Sequence, residues 1–430
     1  MSSLLGLVCD DCRAEYSDRE PINTCPGCGG LLEAIYDQDQ LARRADRTVI
    51  RQREHHVWRW KEFLPVRDDR CLVTLGEGGT PLHRCDRLAA TVGVGALYVK
   101  DDTIGPTGSL KDRSFAVAIG KALELGIRRA VTYTSGNAGG SFAAYCARAG
   151  LQALILVNEW TTEEKLAMMQ VYGHPVIKLR WKSFAEVTAL LARINQDLTM
   201  YQFTNFFNPF RHEGMKTYAY EVAEALGWRA PDRMVHPIGT GGGIHGAWKG
   251  FRELYRLGWI DRLPKMTGVQ PEATPAIVRA FREGKDRAEP CGDVRATIAQ
   301  SIAADAPLGG GRRALRSMRE SGGTAEAVSD AEIREAIALL GREGIFAEPA
   351  GASSVAAAKK LARKGEIGPE ETVVCVVTGS GLKQPHAVAG HFPPPPVMEC
   401  QLAQFTSLAT AAWGESPESW ANPSRNRPGA

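Results

Sequence analysis

Lys111 follows two glycines and a serine in the stretch Ile-Gly-Pro-Thr-Gly-Ser-Leu-Lys-Asp-Arg-Ser (104–114), just before a helix-like run, FAVAIGKALELG (115–126). The positive end of a helix dipole disfavours an ammonium. A lysine needed as a neutral amine gains from that position, because nearby positive potential lowers its pKa. The plainer alternative is a solvated lysine paired with Asp112. Three small-residue loops bear on the choice: YTSGNAGGS (133–141), IGTGGGIHG (238–246) and VTGSGLK (377–383). Each follows a strand-like run. Glycines there let backbone N–H groups converge, and a helix N-terminus favours an anion. The second loop is the best phosphate cradle. It is not a Walker loop, since no Gly-Lys-Ser/Thr follows, and it lies too far along the chain for a first-βαβ dinucleotide fingerprint. An amine, a phosphate cradle and two polar loops together suit a phosphorylated aldehyde, which Lys111 would hold as a Schiff base.

A second set of reactive residues stands at the start of the chain. Cys9, Cys12, Cys25 and Cys28 read Cys-x2-Cys, twelve residues, Cys-x2-Cys. Tetrahedral Zn2+ takes four soft ligands, and each knuckle supplies a pair on a tight turn allowed by Gly27, Gly29 and Gly30. Two disulfides are the alternative, which a reducing compartment disfavours. The segment is acidic (Asp10, Asp11, Glu15, Asp18 and Glu20 against Arg13 and Arg19), which argues against phosphate contacts and nucleic acid. The other six cysteines are scattered, as reduced structural cysteines are.

The elements that must position these residues follow from patterning. The chain of 430 residues has 44% hydrophobic content, ample for a large core, and a net charge of +3, too balanced for a nucleic-acid or membrane partner. No apolar run reaches the roughly 18 residues of a bilayer span, and the start is a poor signal peptide. The expected location is the cytoplasm. Residues 1–36 form the cysteine unit. Residues 37–70, rich in Arg with Trp58 and Trp60, read as a connecting helical segment rather than an RNA contact. From about 71, strand-like runs at 96–100, 130–134, 153–157, 175–179, 233–239, 265–270 and 372–379 alternate with helical segments. That alternation predicts mostly parallel sheets covered on both faces, with ligands at the carboxyl ends of the strands. A proline run, FPPPPV (392–397), ends the compact part, and 396–430 reads as a tail that includes Trp413 and Trp420.

At this point the residues carry a resemblance. LGEGGTPL (75–82), GPTGSLKDRS (105–114), TSGNAGG (134–140), NPFRHEGMKT (208–217), GTGGGIHG (239–246), GVQPE (268–272), EPAGASS (348–354) and TGSGLK (378–383) resemble, in order, the threonine synthase family of fold-type II pyridoxal-phosphate enzymes. Some members carry an N-terminal cysteine ribbon. The resemblance implies an α/β fold: two open, mostly parallel α/β subdomains with the cofactor cleft between them, the smaller about 115–215, within a catalytic domain at 71–395, plus a small zinc ribbon. It implies pyridoxal 5'-phosphate as cofactor, a small amino-acid substrate and a homodimer. Lys111 would hold the cofactor and move protons, supported by Ser109 and Asp112. Asn137 would hydrogen-bond the ring oxygen. Gly239, Thr240, Gly241, Gly242 and Gly243 would hold the cofactor phosphate, and Thr378 would face the pyridine nitrogen. Thr134, Ser135, Gly136 and Ala138 would receive the substrate carboxylate, with Arg211 as an anion clamp and Lys216 as a further substrate contact.

The sequence also departs from the family. A polar residue after the Ser-Gly-Asn asparagine is replaced by Ala138. The serine of Asn-Ser-x-Asn-Pro is replaced by Phe206, and the closing asparagine of the phosphate loop by Gly243. All three would sit where the substrate's phosphate or carboxylate is read, and losing donors there weakens binding of a doubly anionic side chain. Two enzymatic readings therefore stand side by side. One is a threonine synthase acting on O-phosphohomoserine. The other is a lyase or β/γ-replacement synthase on another serine, threonine or homoserine derivative. A cofactor-free binding scaffold is the third reading, against which the retained Lys111 counts.

Overall fold

The computed structural model describes residues 2–134, 136–181, 184–198 and 200–414. Thirteen strands form three sheets. The first, at the N-terminus, contains β1 (Leu4–Cys9), β2 (Glu15–Tyr16) and β3 (Leu32–Tyr36) in the antiparallel order β2-β1-β3. The largest contains β4 (Leu82–Arg84), β5 (Ala96–Asp101), β10 (Arg233–Pro237), β11 (Lys265–Pro271), β12 (Ala325–Val328) and β13 (Thr372–Val377). Its order is β12-β11-β10-β13-β5-β4, parallel except for the β4 edge. The third, fully parallel, orders β6 (Arg129–Thr134), β7 (Gln152–Asn158), β8 (Val176–Leu179) and β9 (Tyr201–Gln202) as β8-β7-β6-β9.

The chemistry of each strand explains its place. β13, Thr-Val-Val-Cys-Val-Val, is β-branched at every residue but Cys375 and buried along almost its whole length, as a central parallel strand covered on both faces must be. The three- and four-residue strands β4 and β12 are left at the edges, where short strands limit unpaired backbone. All seven strands expected from the sequence are present. The other six were not singled out: β1, β2 and β3 lie in the cysteine segment, and β4, β9 and β12 are only two to four residues long. Helices cover the sheets. Those that matter for the site are Lys111–Glu124, Asn137–Ala149, Glu163–Gln170, Gly242–Arg256 and Pro349–Arg363.

Residues 1–387 form one compact unit, so the cysteine segment is built into the body rather than tethered to it. Leu7, Cys9 and Leu32 share an apolar core with Phe115, Phe142 and Phe203. The segment's acids pair inward: Asp10 with Arg313 at 2.7 Å, Asp18 with Lys121 at 2.7 Å and Glu33 with His245 at 3.0 Å. In 37–70, Trp58 and Trp60 are buried, and the Trp58 indole N–H donates to the Val73 carbonyl at 2.7 Å. Both rings belong to the apolar core. A second unit begins at Val388; its prolines 393–396 are exposed and its helix spans Leu402–Trp413. Trp420 lies outside the described residues. Among the described residues, no helix is long and apolar enough to cross a membrane.

Candidate active site

The carboxyl ends of β6, β10 and β13 open onto one cleft of about 200 Å3, lined among others by Lys111, Asn137, Arg211, Thr240 and Thr378. Three sequence-distant loops therefore converge. Lys111 is the first residue of its helix, preceded by the cap Leu110. The loop before it is fastened to the third loop: the Leu110 N–H donates to the Thr378 carbonyl at 2.9 Å, and Ser109 bridges Gly379. Asp112 does not pair with Lys111. It is buried and accepts from the N–H and hydroxyl of Thr107 at 2.9 and 2.6 Å. Among the described residues, the Lys111 ammonium has no hydrogen-bond or ion-pair partner. Burial, then the positive charge of Arg211, pull its pKa down to about 8, with Glu348 opposing.

The phosphate-loop reading can be tested on backbone alone. Gly241 caps the fifteen-residue helix Gly242–Arg256 at φ 94°, with no side chain bonded to the first amides. Those N–H groups are free for an anion. A Cβ would lie 2.4 Å from Ala314 Cβ at Gly241, 2.7 Å from His212 Cδ2 at Gly242 and 2.3 Å from His236 Cε1 at Gly243. Bare backbone is thus required, and a phosphorylated group fits the donor set. The amide of Asn205 donates to the Thr240 hydroxyl, and its Oδ1 is 3.1 Å from His212 Nε2. Thr378 lines the cleft, and its hydroxyl has no protein partner among the described residues.

Other expected residues take different parts. Asn137 opens its helix at the cleft, but its amide donates to both Glu348 oxygens at 2.8 Å and to Ser301 Oγ at 3.0 Å. Its own Oδ1 is buried without a partner. Arg211 lines the cleft, stacks 4.2 Å over Phe115, and gives donors to Ser114 Oγ and the Phe203 carbonyl, both at 3.0 Å. Its guanidinium is fixed chiefly by its own chain. Thr134, Ala138 and Gly239 to Gly243 line the cleft. Gly136 does not; the Lys165 side chain lies over it. Ser135 lies outside the described residues.

Two further expectations fail. Lys216 is fully buried away from the cleft, its ammonium 3.0 Å from both Glu213 and Glu253 and 2.5 Å from the Phe63 carbonyl. It neutralises buried acids rather than touching substrate. Phe206 adopts φ 65° and turns from the cleft to stack on His212, ring centroids 4.4 Å apart. The replacement of serine removes a hydroxyl there without filling the pocket.

The cleft also contains residues that sequence reasoning missed. Glu348 caps the helix Pro349–Arg363, and its carboxylate faces Asn137. The Glu-Pro pair is a helix-start signal, but no local pattern says which way the carboxylate points. His236, on β10, holds its Nδ1 2.8 Å from the Pro237 carbonyl and leaves Nε2 buried without a partner. Burial lowers its pKa to about 4, so it is neutral.

In the cysteine segment, the four Sγ atoms of Cys9, Cys12, Cys25 and Cys28 all lie within 4.8 Å of one another. The Tyr16 hydroxyl is 3.0 Å from Cys25 Sγ. Four sulfurs at that spacing suit a tetrahedral metal ion.

Comparison with known proteins agrees with this geometry. Residues 73–379 match the pyridoxal-phosphate dependent enzyme family. The threonine synthase of Methanocaldococcus jannaschii is 42% identical over 92% of this chain and 96% of its own. That of Methanosarcina acetivorans is 41% identical over 95% and 99%. The threonine synthase of Mycobacterium bovis is 35% identical over 84% of this chain and its own full length. Among solved structures, diaminopropionate ammonia lyase from Escherichia coli superposes with a TM-score of 0.62 at 18% identity, covering 76% of this chain and 94% of that one. Maize serine racemase superposes at 0.61 and 19%, covering 77% and 93%. These two likenesses are of fold. With the family match covering most of the chain and the threonine synthase relatives matching nearly end to end, the chain belongs to the threonine synthase family of fold-type II pyridoxal-phosphate-dependent enzymes.

Proposed function

We propose that this enzyme converts O-phosphohomoserine and water to threonine and phosphate. The observation that carries the reading is Lys111: an unpartnered amine with a pKa near 8, in the same cleft as a bare glycine cradle. The near-full-length similarity to threonine synthases supports the choice of substrate.

The backbone of Gly239 to Gly243 and the Thr240 hydroxyl would hold the cofactor phosphate, Lys111 its aldehyde carbon, and Thr378 its ring nitrogen. Bound there, pyridoxal phosphate supplies an electron sink for charge developing next to the amino group. Lys111 Nζ takes the Cα proton and then a Cβ proton. The Cγ–O bond would break with its electron pair leaving on phosphate, Cγ would gain one proton to become a methyl group, water would add its oxygen at Cβ and give up a proton, and Lys111 would return the proton to Cα. Arg211 keeps Lys111 a competent base by disfavouring its ammonium. The backbone amides of Asn137 and Ala138, at a helix N-terminus on the cleft, would orient the carboxylate.

A second reading is favoured by Ala138 and Gly243, which line the cleft without polar side chains, and by Arg211, whose Nε and one Nη1 donor are taken by Ser114 and Phe203. Such a wall suits a less anionic leaving group, as in an O-acyl or hydroxyl amino acid.

Product mass from O-phosphohomoserine, O-phosphoserine, O-acetylserine, serine and threonine separates the two. Threonine and phosphate from the first compound are expected; turnover of the others alone would overturn the proposal. Lys111→Ala should abolish both turnover and the visible band of the bound cofactor, about 410–420 nm.

The cysteine segment would hold one structural Zn2+ on Cys9, Cys12, Cys25 and Cys28. The geometry of four converging sulfurs supports this, and metal analysis should find one equivalent per chain. Residues 71–395 would be the catalytic part, working as a homodimer in the cytoplasm.

A further inference from the structure

Lys165 lies on the helix Glu163–Gln170, behind the turn that opens the helix Asn137–Ala149. It is 4% exposed, yet its ammonium has no hydrogen-bond or ion-pair partner among the described residues. An unpaired buried cation is unfavourable unless something pairs with it. The side chain is stretched over Gly136: a Cβ built there would lie 2.5 Å from Lys165 Cδ and 3.2 Å from Nζ. Gly136 is the N-cap of the thirteen-residue helix Asn137–Ala149, at φ 148° with no side-chain cap. Uncapped amides and an unpartnered ammonium thus meet at one turn.

The surroundings direct this pair toward a ligand. The carboxylates that act on it, Glu348 and then Glu164, make no ion pair with it, and Glu348 already accepts from Asn137 and Ser301. Lys383, the other buried lysine beside this turn, already donates to the Thr107 carbonyl at 2.7 Å. A hollow bounded by Lys165, Trp160 and Gln300 shares the last two residues with the main cleft. The hollow at Lys165 and the main cleft therefore share a wall.

We propose that Lys165 binds an oxyanion of the amino-acid substrate, its carboxylate or its leaving phosphate, at the Gly136 turn. The proposal deepens the functional reading above, on which its choice of substrate class rests. It also answers a need of that reading. Ala138 and Gly243 offer no side-chain donor, and Arg211 is held by Ser114 and Phe203. Lys165 supplies a further cation, from a helix that the sequence motifs do not include.

The test uses holoenzyme with two probes, L-alanine for the carboxylate and inorganic phosphate for the leaving group, by isothermal titration calorimetry. Lys165→Met and Lys165→Gln should weaken one probe by about tenfold or more, the size of a lost charge-assisted hydrogen bond. Lys165→Arg should stay within about threefold of wild type, a rescue that a merely steric role would not give. Loss for L-alanine assigns the carboxylate, and loss for phosphate the leaving group. The cofactor band should be unchanged in all three variants. Binding of both probes within twofold of wild type by either neutral variant would overturn the proposal, as would wild-type protein that binds neither. Because probe binding needs no turnover, a wild type inert toward O-phosphohomoserine but sensitive to Lys165 would refute the reaction and leave this site standing.

Discussion

Gly241→Ala tests the phosphate cradle with a single methyl group. Two separate penalties apply. Gly241 sits at φ 94°, where an L side chain costs about 1–2 kcal/mol. The new Cβ would also lie 2.4 Å from Ala314 Cβ, well inside normal contact, and overpacking of that kind costs about 1–3 kcal/mol. The sum is about 2–5 kcal/mol. Where the loop relaxes in apoenzyme, the whole amount falls on cofactor affinity, a loss of roughly 30- to 4000-fold. Where it does not relax, the amount falls on the melting temperature. Titrating apoenzyme with pyridoxal phosphate, alongside calorimetry, separates the two. Gly258→Ala is the control, because Gly258 also has a left-handed φ, 65°, but open space around its Cβ position. It should lose only the backbone part, about 1 kcal/mol of stability, with unchanged cofactor affinity. Gly241→Ala combined with Ala314→Gly removes the overlap and should recover the packing part. A Gly241→Ala enzyme that binds cofactor within threefold of wild type and melts with the Gly258→Ala control would refute the cradle argument.

Arg211→Met should move the Lys111 pKa upward from about 8, since the guanidinium lowers it. A neutral amine is needed to take up the aldehyde, so the pH midpoint for reloading apoenzyme should rise. An unchanged midpoint would remove Arg211 from that role. Glu221→Gln should destabilise the protein by about 3–5 kcal/mol, because Glu221 pairs with buried Lys100 at 2.6 Å and with Arg113 at 2.5 Å; Arg113 keeps Asp102, but Lys100 is left without a carboxylate. Calorimetry checks this. Cys9→Ser should abolish metal content and lower the melting temperature, because Cys9 is itself buried in the body's core, whereas Cys400→Ser, at an exposed position, should do neither.

How much of this was legible in the sequence depends on the range of the interaction that decides each feature. The seven strands and the helix opening at Lys111 follow from local apolar runs and small-residue stops, signals contained within each segment. The convergence of 111, 239–243 and 378 was legible because each loop follows a strand, and parallel strands present their carboxyl ends together. Side-chain direction was not. Lys216 stands five residues after Arg211, but the 3-10 turn at Gly214–Lys216 sends it into the acid pair Glu213 and Glu253 instead. Phe206 takes a left-handed backbone that no propensity assigns to phenylalanine, so its ring leaves the pocket. His236 and Glu348 carry no pattern of their own. Their places are set by strands and caps that pair across more than a hundred residues.

The strand order has a consequence for how the chain is made. β5, which leads into the lysine loop, takes its parallel partner from β13, and that partner leaves the ribosome some 270 residues afterwards. The β6–β9 sheet, by contrast, is contiguous and can close while synthesis continues. Long-range closure is entropically slow. Lys111 is therefore synthesised in the first third of the chain and among the last residues held still, and a nascent chain halted before Thr372 leaves it without a seat.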